Sequence, residues 1–166
     1  MSCPFRIELL EKHDRTRFKC GQEELDEYFR GRVSQDVRRR VTTCYLLVDS
    51  ESEEISGYYT LSAGGVPVGD LPEGITKRLP RYPSVPVARI GRLAVDLRYR
   101  GRKLSDALMA DAIRRSIKSD IAVFAVVVDA KDESLVAFYM ARGLVSLSSA
   151  PNTLFLPLSD AIKRLA

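Results

Sequence analysis

The run from Ile121 to Val128, IAVFAVVV, constrains the fold of this chain more than any other segment. A strand with one face in water alternates apolar and polar residues, whereas an unbroken apolar run indicates a strand that is covered on both faces. Helices are predicted on either side of this run. Leu104–Lys118 is amphipathic, and Asp132–Arg142 is a predicted helix that Asp132 can cap and Gly143 can end.

The other segments predict an antiparallel meander, followed by a strand–helix–strand–helix–strand arrangement. One or two helices are predicted within Gly21–Arg40, and a proline-rich loop within Val66–Pro86. The other predicted strands, with Glu51–Glu54 as a hairpin turn, are Phe5–Leu10, Thr42–Val48, Ile55–Ser62, Val87–Asp96 and Leu154–Leu158. This order predicts an α/β protein, or α+β by stricter naming, with a mixed sheet. A length of 166 residues with 45% hydrophobic content suits a single domain.

The histidine and cysteine content makes several kinds of site improbable. With His13 as the one histidine of the sequence, neither a zinc centre nor a Ser-His-Asp triad is expected. Cys3, Cys20 and Cys44 lack metal-ligand spacing and are interpreted as reduced thiols. No apolar run approaches the roughly 20 residues of a membrane span, and the N-terminal segment lacks the apolar stretch of a signal peptide. A cytoplasmic protein with no metal and no membrane contact is therefore expected.

Positive charge is concentrated in one segment of the chain. Between Gly74 and Lys103, nine basic residues stand against a single carboxylate, Asp96, which gives this segment a charge of +8. Because the whole chain carries a formal charge of +4, the remainder carries −4. A local excess larger than the total charge favours a surface for polyanions over a merely solvated basic face.

The stretch RGRKLS, Arg100 to Ser105, joins a predicted strand to a predicted helix. The first turn of a helix exposes N–H groups that lack intrahelical acceptors, together with the positive end of the helix dipole, and it binds phosphate well. Gly101 permits a close approach of the ligand to the backbone, and Arg100, Arg102 and Lys103 add charge. The alternative is an ordinary strand–helix turn with solvated cations, and these residues alone do not decide between the two.

This turn and its helix resemble the acetyl-CoA-binding motif of the GNAT superfamily of N-acetyltransferases. The motif is Gln/Arg-x-x-Gly-x-Gly/Ala, and RGRKLS followed by DALM places Arg100 at its first position and Leu104 at its apolar position. Lys103 stands where the motif usually has glycine, so this residue needs a backbone conformation that a side chain tolerates. Ser105 replaces a glycine or alanine, which is a mild change because serine is small.

A second part of the chain carries the same resemblance. Superfamily members have a helix with asparagine near its start, then an aromatic-Tyr pair and Gly-Phe; here Asp132, Phe138-Tyr139 and Gly143-Leu144 follow that order. The resemblance implies that Tyr139 is the general acid that protonates the departing CoA thiolate. It implies a mostly antiparallel sheet of about six to seven strands, splayed at the acetyl-CoA site and flanked by about four helices. The implied acetyl-CoA-binding residues are Leu93, Ala94, Val95, Arg100, Gly101, Arg102, Lys103, Leu104, Ser105, Asp132 and Phe138.

Nine short segments narrow the resemblance to the GNAT toxins of type II toxin–antitoxin modules. They occur in the same order and include His13-Asp14-Arg15, Leu79–Pro83 and Gly91–Asp96. Such toxins acetylate the α-amino group of aminoacyl-tRNA and stop translation, their antitoxins are small ribbon-helix-helix proteins, and they are commonly homodimers. RNA helices are contacted largely through phosphates, and the candidate tRNA contacts are Arg38, Arg39, Lys77, Arg78, Arg81, Arg89 and Arg92.

No side chain stands out as a general base for the transfer. A lysine acceptor, with a pKa of about 10.4, would need one, whereas an α-amino group titrates at about 7.7–8.0 and is more often neutral in the cell. An α-amine acceptor is therefore favoured. Two alternatives stay open: a GNAT enzyme acting on a small amine or a protein N-terminus, and an inactive acyl-CoA-binding module. For Tyr82, stacking on the terminal base of the RNA and packing of its own loop are both open.

Overall fold

A computed structural model of the chain describes residues 4–79 and 81–165. Over these residues the chain forms seven β-strands and six α-helices. The strands are β1 (Phe5–Leu9), β2 (Thr43–Asp49), β3 (Ile55–Pro67), β4 (Ser84–Val95), β5 (Ala125–Asp129), β6 (Val145–Ser146) and β7 (Thr153–Pro157). The helices are α1 (Glu23–Gly31), α2 (Val33–Arg38), α3 (Glu73–Thr76), α4 (Leu104–Ile117), α5 (Glu133–Met140) and α6 (Leu158–Leu165). Short 3₁₀ turns cover Val68–Asp70 and Leu97–Tyr99.

The strands form one hydrogen-bonded sheet in the order β1-β2-β3-β4-β5-β7-β6. The pairs β1–β2, β2–β3, β5–β7 and β6–β7 are antiparallel. β4 and β5 are parallel, with a register from Val87↔Ala125 to Ile90↔Val128. The prediction of a mixed, mostly antiparallel sheet is therefore confirmed.

β5 has the burial that the apolar run predicts, but it is shorter than that run. Ala125–Val128 are all buried, as expected for a strand covered on both faces. Ile121 is 79% exposed instead, and its N–H bonds to the Ser119 hydroxyl at 3.2 Å. The first four residues of the run thus lie between α4 and β5 as irregular chain, and β5 begins at Ala125, opposite Val87 of β4.

Three regions differ from the sequence prediction. β3 continues to Pro67, well past Ser62, and the predicted Val66–Pro86 loop contains a 3₁₀ turn and α3. β6 was not predicted, and neither were α3 and α6, so the described residues have six α-helices where about four were expected. α6 begins directly after β7 without a loop. The apolar run LFLPL, residues 154–158, crosses this boundary and conceals it in the sequence.

By its contacts the chain divides into two compact units, and β3, β4 and α4 each contribute residues to both. The first unit contains the described residues up to Ser62, together with Gly91–Ala112. Its core is an aromatic cluster. Phe29 stacks on Tyr58 with ring centroids 4.1 Å apart, and Phe18 meets both rings edge-on. α1 supplies Phe29 because its apolar residues recur at helical spacing.

The second unit contains Ala63–Ile90 and the described residues from Ile113 onward. Its core is mostly aliphatic and includes Val87 of β4, Val127 of β5 and the aromatic Phe155 of β7. These residues belong to strands that are paired in register, so the side chains of one sheet face come together. Additional partly buried residues from the segment before β4, among them Ile75 and Leu79, pack on this core.

Candidate active site

The turn between β4 and α4, in the first unit, has the backbone shape that a phosphate site needs. Gly101 lies in the left-handed region with φ +82°, and a Cβ built on it meets no atom within 4 Å. The Ala107 N–H donates to the Lys103 carbonyl at 3.3 Å and thereby starts the bonding of α4. The N–H groups of the first turn have no acceptor within a helix. Open space beside a glycine and these N–H groups fit an anionic diphosphate.

Lys103 occupies the position at which the sequence motif usually has glycine. Its φ is +56°, so a residue with a side chain adopts the left-handed conformation where the motif usually has glycine. Such a conformation costs a non-glycine residue about 1 kcal/mol. Its side chain is exposed and adds positive charge at the start of α4. The turn therefore keeps the conformation that a glycine would favour, at a cost in stability.

Replacing Lys103 with glycine is expected to raise the free energy of unfolding by about 0.5–1 kcal/mol, because glycine adopts the left-handed conformation without strain. Urea denaturation of the two proteins measures this difference. Arg102→Gly is the matched control, since Arg102 is adjacent, exposed and not left-handed, and it is expected to lower stability. A Lys103→Gly protein as destabilised as the control would contradict the assignment of strain to this residue.

The arginines near this turn have different partners. The Arg100 guanidinium donates through Nη2 to the Cys20 carbonyl at 2.9 Å, so one of its N–H groups holds the segment before α1. The Arg102 guanidinium lies 5.6 Å from the centre of the Tyr99 ring. A guanidinium carries five N–H donors, so a contact between Arg100 and phosphate stays a prediction.

The segment Leu93–Val95 follows the point at which the parallel register ends. Over the described strands, the pairing of β4 with β5 stops at Ile90, whereas β4 continues to Val95. The Arg92 N–H donates to the Thr60 hydroxyl at 3.0 Å, which marks a local irregularity next to β3. These features agree with the expected splay of β4, while a contact of this segment with acetyl-CoA stays a prediction.

Gly57 of β3 controls how closely β3 approaches this part of β4. A Cβ at Gly57 would lie 2.9 Å from the Ala94 carbonyl oxygen and 3.1 Å from the Leu108 side chain. Separations of this size are too short for a methyl group, so only glycine permits the observed approach. The position of Ala94 therefore depends on a glycine that lies 37 residues earlier in the chain.

In the second unit, α5 carries Tyr139. Its ring is buried, with 7% exposure, and the structure gives its hydroxyl no hydrogen-bond partner among residues 4–79 and 81–165. Burial raises the pKa of Tyr139, and the positive charge of Arg142 opposes this only in part. The phenol is therefore protonated at neutral pH and can donate its proton.

The start of α5 is fixed by Asp132. Its carboxylate accepts bonds from the Ser134 hydroxyl at 2.7 Å and from the Leu135 N–H at 3.0 Å, which confirms the predicted cap. These bonds hold the pKa of Asp132 below its usual value, with the Ser134 bond as the largest cause. Near the end of α5, the Arg142 guanidinium lies 3.4 Å from the centre of the Phe138 ring. Roles of Asp132 and Phe138 toward acetyl-CoA stay predictions.

The candidate tRNA-binding residues differ in the contacts that they make within the protein. In the first unit, Arg38 and Arg39 are exposed at the end of α2, and the Arg92 guanidinium lies 3.5 Å from the centre of the Tyr28 ring. The Tyr28 hydroxyl donates to Asp36 at 2.7 Å, so this ring is held firmly beneath Arg92. The sequence reasoning did not assign this role to Tyr28, and no local pattern indicates it.

The second unit contains the other four candidates. Arg89 pairs with Asp129, which also accepts a bond from Thr153 at 2.8 Å, so Arg89 has a structural partner. Lys77, Arg78 and Arg81 are exposed on the segment between α3 and β4. Within the described part of the chain, no carboxylate pairs with any of these three. Their charge is therefore available to a partner.

Asp96 is a buried carboxylate before the β4–α4 turn, and sequence reasoning assigned it no role. It is 1% exposed and accepts bonds from the Lys19 N–H at 3.1 Å and from the backbone and side chain of Arg98 at 2.9–3.1 Å. The Leu97 N–H in turn donates to the Lys19 carbonyl at 2.9 Å. The available signal was its position as the one carboxylate in the basic segment from Gly74 to Lys103.

The structure also bears on the predictions about the cysteines, metal sites and membrane-spanning helices. Cys20 and Cys44 are free thiols and buried, whereas Cys3 lies outside the described residues. No cluster of three histidine, cysteine or carboxylate side chains suited to a metal ion occurs in the ranges 4–79 and 81–165. In the same ranges, no helix has both the length and the apolar character needed to cross a bilayer. His13 bonds to Glu8 and to the Glu11 N–H, which agrees with a structural role.

Comparison with known proteins gives a consistent picture. The family model of the acetyltransferase (GNAT) domain matches residues 19–152. The chain is 32% identical over 162 residues to a tRNA-acetylating toxin of Mycobacterium tuberculosis (strain ATCC 25618 / H37Rv), with 96% of this chain and 94% of the relative covered. It is 27% identical over 157 residues to "Probable toxin TacT" of Sinorhizobium fredii (strain NBRC 101917 / NGR234), with 89% and 87% covered.

Solved structures resemble the chain over nearly its whole length. AtaT complexed with acetyl-methionyl-tRNAfMet matches with a TM-score of 0.89 at 26% identity, covering 98% of this chain and 99% of that one. A tyrosine-to-phenylalanine mutant of KacT matches with a TM-score of 0.88 at 27% identity, covering 99% and 100%. A tyrosine-to-phenylalanine mutant of AtaT, bound to the C-terminus of the antitoxin AtaR and acetyl-CoA, matches with a TM-score of 0.80 at 25% identity, covering 98% of each.

Proposed function

The chain belongs to the GNAT acetyltransferase family, and on this premise we propose that it transfers an acetyl group from acetyl-CoA to the α-amino group of an aminoacyl-tRNA, which blocks translation. The observation that carries the proposal is the match over 162 residues to a relative that acetylates tRNA. The unpaired cations Lys77, Arg78 and Arg81 support an RNA substrate independently, because they offer phosphate contacts.

Acetyl-CoA supplies the activated acetyl group as a thioester. The backbone N–H groups of Gly101 and Lys103–Ser105 bind the diphosphate, and Arg100 and Arg102 add charge around it. The N–H groups of Leu93–Val95 polarise the thioester carbonyl in the manner of an oxyanion hole. Asp132, which precedes α5, and Phe138, which lies within α5, are the remaining proposed contacts with acetyl-CoA. A single acetyltransferase domain is proposed to contain all of these residues.

Tyr139 is proposed as the general acid. Its Oη donates a proton to the thiolate as the acetyl group leaves, while the attacking amine loses a proton to water. A buried phenol is protonated over the whole physiological range, because burial raises its pKa further. The similar solved structures include tyrosine-to-phenylalanine mutants of KacT and of AtaT.

The acceptor amine needs no base from the protein if it is an α-amino group. The pKa of such a group is about 7.7–8.0, and the neighbouring ester of an aminoacyl-tRNA lowers it further. A substantial fraction is then neutral and nucleophilic in the cell. Contacts with the tRNA are proposed for the exposed cations and for Arg92 above Tyr28. The full set is Arg38, Arg39, Lys77, Arg78, Arg81, Arg89 and Arg92, of which Arg89 also pairs with Asp129.

A toxin of this kind needs a partner protein that neutralises it. A cognate antitoxin of the ribbon-helix-helix class is proposed, and a homodimer is proposed as the state of the toxin. Support for an antitoxin comes from the similar structure in which AtaT is bound to the C-terminus of AtaR. The cytoplasm is the proposed location, because aminoacyl-tRNA is made and used there.

Acetyl transfer by the purified chain tests the proposal. Radiolabelled acetyl-CoA is offered with aminoacyl-tRNA, and deacylated tRNA and a lysine-rich peptide serve as matched acceptors without the aminoacyl ester. We expect label on aminoacyl-tRNA alone, and inhibition of cell-free translation only when acetyl-CoA is present. Transfer to the peptide alone would keep the enzyme class and remove the substrate. Failure to bind acetyl-CoA would remove the proposal entirely.

A further inference from the structure

Tyr82 differs from every other aromatic residue of the chain. The sequence contains seven tyrosines and six phenylalanines, all within the described ranges. Of these thirteen, Tyr82 is the one that is exposed, with 65% of its surface accessible. Packing of its own loop, one of the two readings that the sequence left open, does not account for this ring. An exposed aromatic ring of this kind is available to a ligand.

The loop that carries Tyr82 is anchored at both ends to the core of the second unit. Before the ring, Leu79 packs against this core. After it, the Pro83 carbonyl accepts a bond from the Val68 N–H at 3.0 Å, and Val85 is buried. A residue that precedes proline is also restricted to extended backbone, which applies to Tyr82. Tyr82 is therefore flanked by described residues that the core holds, and its own backbone is restricted, so binding needs little additional ordering of these residues.

The charged residues adjacent to Tyr82 in the sequence, from Lys77 to Arg81, are all cationic. Lys77, Arg78 and Arg81 lie within five residues of Tyr82, and all are exposed without a carboxylate partner among the described residues. The segment from Lys77 to Tyr82 contains no acidic residue. An aromatic ring among unpaired cations is the combination that binds single-stranded nucleic acid, since bases stack on the ring and cations contact the phosphates.

We propose that Tyr82 is a stacking platform for an unpaired base of the RNA substrate, with Lys77, Arg78 and Arg81 holding the adjoining phosphates. This inference rests on the proposed function, because the amino acid of an aminoacyl-tRNA is attached to a single-stranded 3′ end. Stacking tolerates any base, so this platform supports affinity for the strand and leaves the choice of tRNA to other contacts.

Kinetics with two acceptors test the platform. Tyr82→Ala is expected to raise KM for aminoacyl-tRNA by about 10-fold or more while kcat is unchanged, whereas Tyr82→Phe, which keeps the ring, stays within about 3-fold of wild type. The rate with an amino-acid methyl ester, an acceptor without RNA, is expected to be the same for all three proteins. Ile121→Ala is the matched control, because it also truncates an exposed apolar side chain of the second unit.

Substitution of one of the cations is expected to have a separate, measurable effect on tRNA binding. Arg81→Gln is expected to weaken binding of tRNA and to reduce the slope of log affinity against log salt by about one. An unchanged KM in Tyr82→Ala would overturn the platform. So would an equal loss with the methyl ester, which indicates a structural defect, or an equal loss in Tyr82→Phe, which indicates a role of the hydroxyl.

A direct binding measurement separates failure of this inference from failure of the proposed function. If wild type does not acetylate aminoacyl-tRNA, the function falls, and a fluorescent single-stranded RNA ending in CCA is then titrated with wild type and Tyr82→Ala. Weaker binding by Tyr82→Ala would support the platform. Equal binding, or binding by neither protein, would overturn it, and a change in oligomeric state in Tyr82→Ala would assign the ring to a protein interface instead.

Discussion

Replacing Tyr139 with phenylalanine is expected to lower kcat for acetyl transfer by about 100- to 10,000-fold, the range that loss of a positioned general acid typically produces. The change removes one hydroxyl and keeps the buried ring, which is 7% exposed. The structure shows no hydrogen bond from that hydroxyl to any residue of the described part of the chain. The fold should therefore tolerate the change, and the loss should fall on the chemical step.

Three measurements separate this prediction from a general loss of structure. Binding of acetyl-CoA by calorimetry should be the same for wild type and Tyr139→Phe, as should the midpoint of thermal unfolding. Tyr82→Phe is the matched control, because it deletes the same hydroxyl from an exposed ring, and its kcat should equal that of wild type. A Tyr139→Phe protein with nearly full kcat would mean that water or another group protonates the thiolate.

The pH dependence of the wild-type enzyme follows from the same residue. Burial raises the pKa of Tyr139 above its ordinary value of 10, so the proton that it donates is present at every pH up to that raised value. Activity that depends on the acid form is then lost only as the pH rises through the raised pKa. The amine acceptor, in contrast, limits the rate at low pH, because it must lose its proton before it attacks.

Local patterns in the sequence were sufficient for the elements that carry the chemistry. The capping residue Asp132 and the glycine at 143 delimit α5, and the apolar run identifies β5, because each signal lies within the element that it describes. The GNAT assignment and the use of acetyl-CoA by the family are likewise confirmed. The motif marks position 103 as one where glycine is usual, but the sequence did not predict that Lys103 would adopt the left-handed conformation.

Contacts between distant residues could not be predicted from one sequence. Arg100 reaches the Cys20 carbonyl across 80 positions, and Arg92 lies over Tyr28, which is 64 positions away. Such pairs form only after β4 and α1 have both been positioned by the core of the first unit. The resemblance assigned Arg100 to acetyl-CoA because the motif is a local sequence pattern. It gave no information about the bond from Arg100 to the Cys20 carbonyl.

Asp96 shows how such distant contacts support the site. It ends β4 and caps the 3₁₀ turn that leads to Gly101, and its N–H donates to the Ser56 carbonyl at 2.8 Å. Its carboxylate also holds Lys19 of the segment before α1. Arg98, which binds the same carboxylate, pairs further with Glu54. One buried anion therefore fixes the strand, the turn and the N-terminal segment relative to one another.

Replacing Asp96 with alanine is accordingly expected to lower the free energy of unfolding by about 3 kcal/mol, because it leaves the Lys19 N–H without its acceptor and leaves Glu54 as the remaining carboxylate partner of Arg98 among the described residues. Asp96→Asn keeps the shape and part of the bonding, so its loss should be smaller. Asp14→Ala is the matched control, since that carboxylate is exposed and bonds only to Thr16, and its unfolding midpoint should stay close to wild type. Denaturation at neutral pH measures all three.

The dependence on pH tests whether the charge of Asp96 is responsible. Burial alone would raise the pKa of Asp96, but hydrogen bonds from Arg98 and Lys19 outweigh it and hold the pKa below the ordinary value. A lowered pKa contributes stability above the unfolded value of about 3.9, and this contribution is lost as the pH falls through the folded value. The difference between wild type and Asp96→Ala should therefore be constant from pH 8 to about pH 5 and should shrink only in stronger acid. A difference that already shrinks near neutral pH would show that the anion is not what joins β4 to the turn before α4.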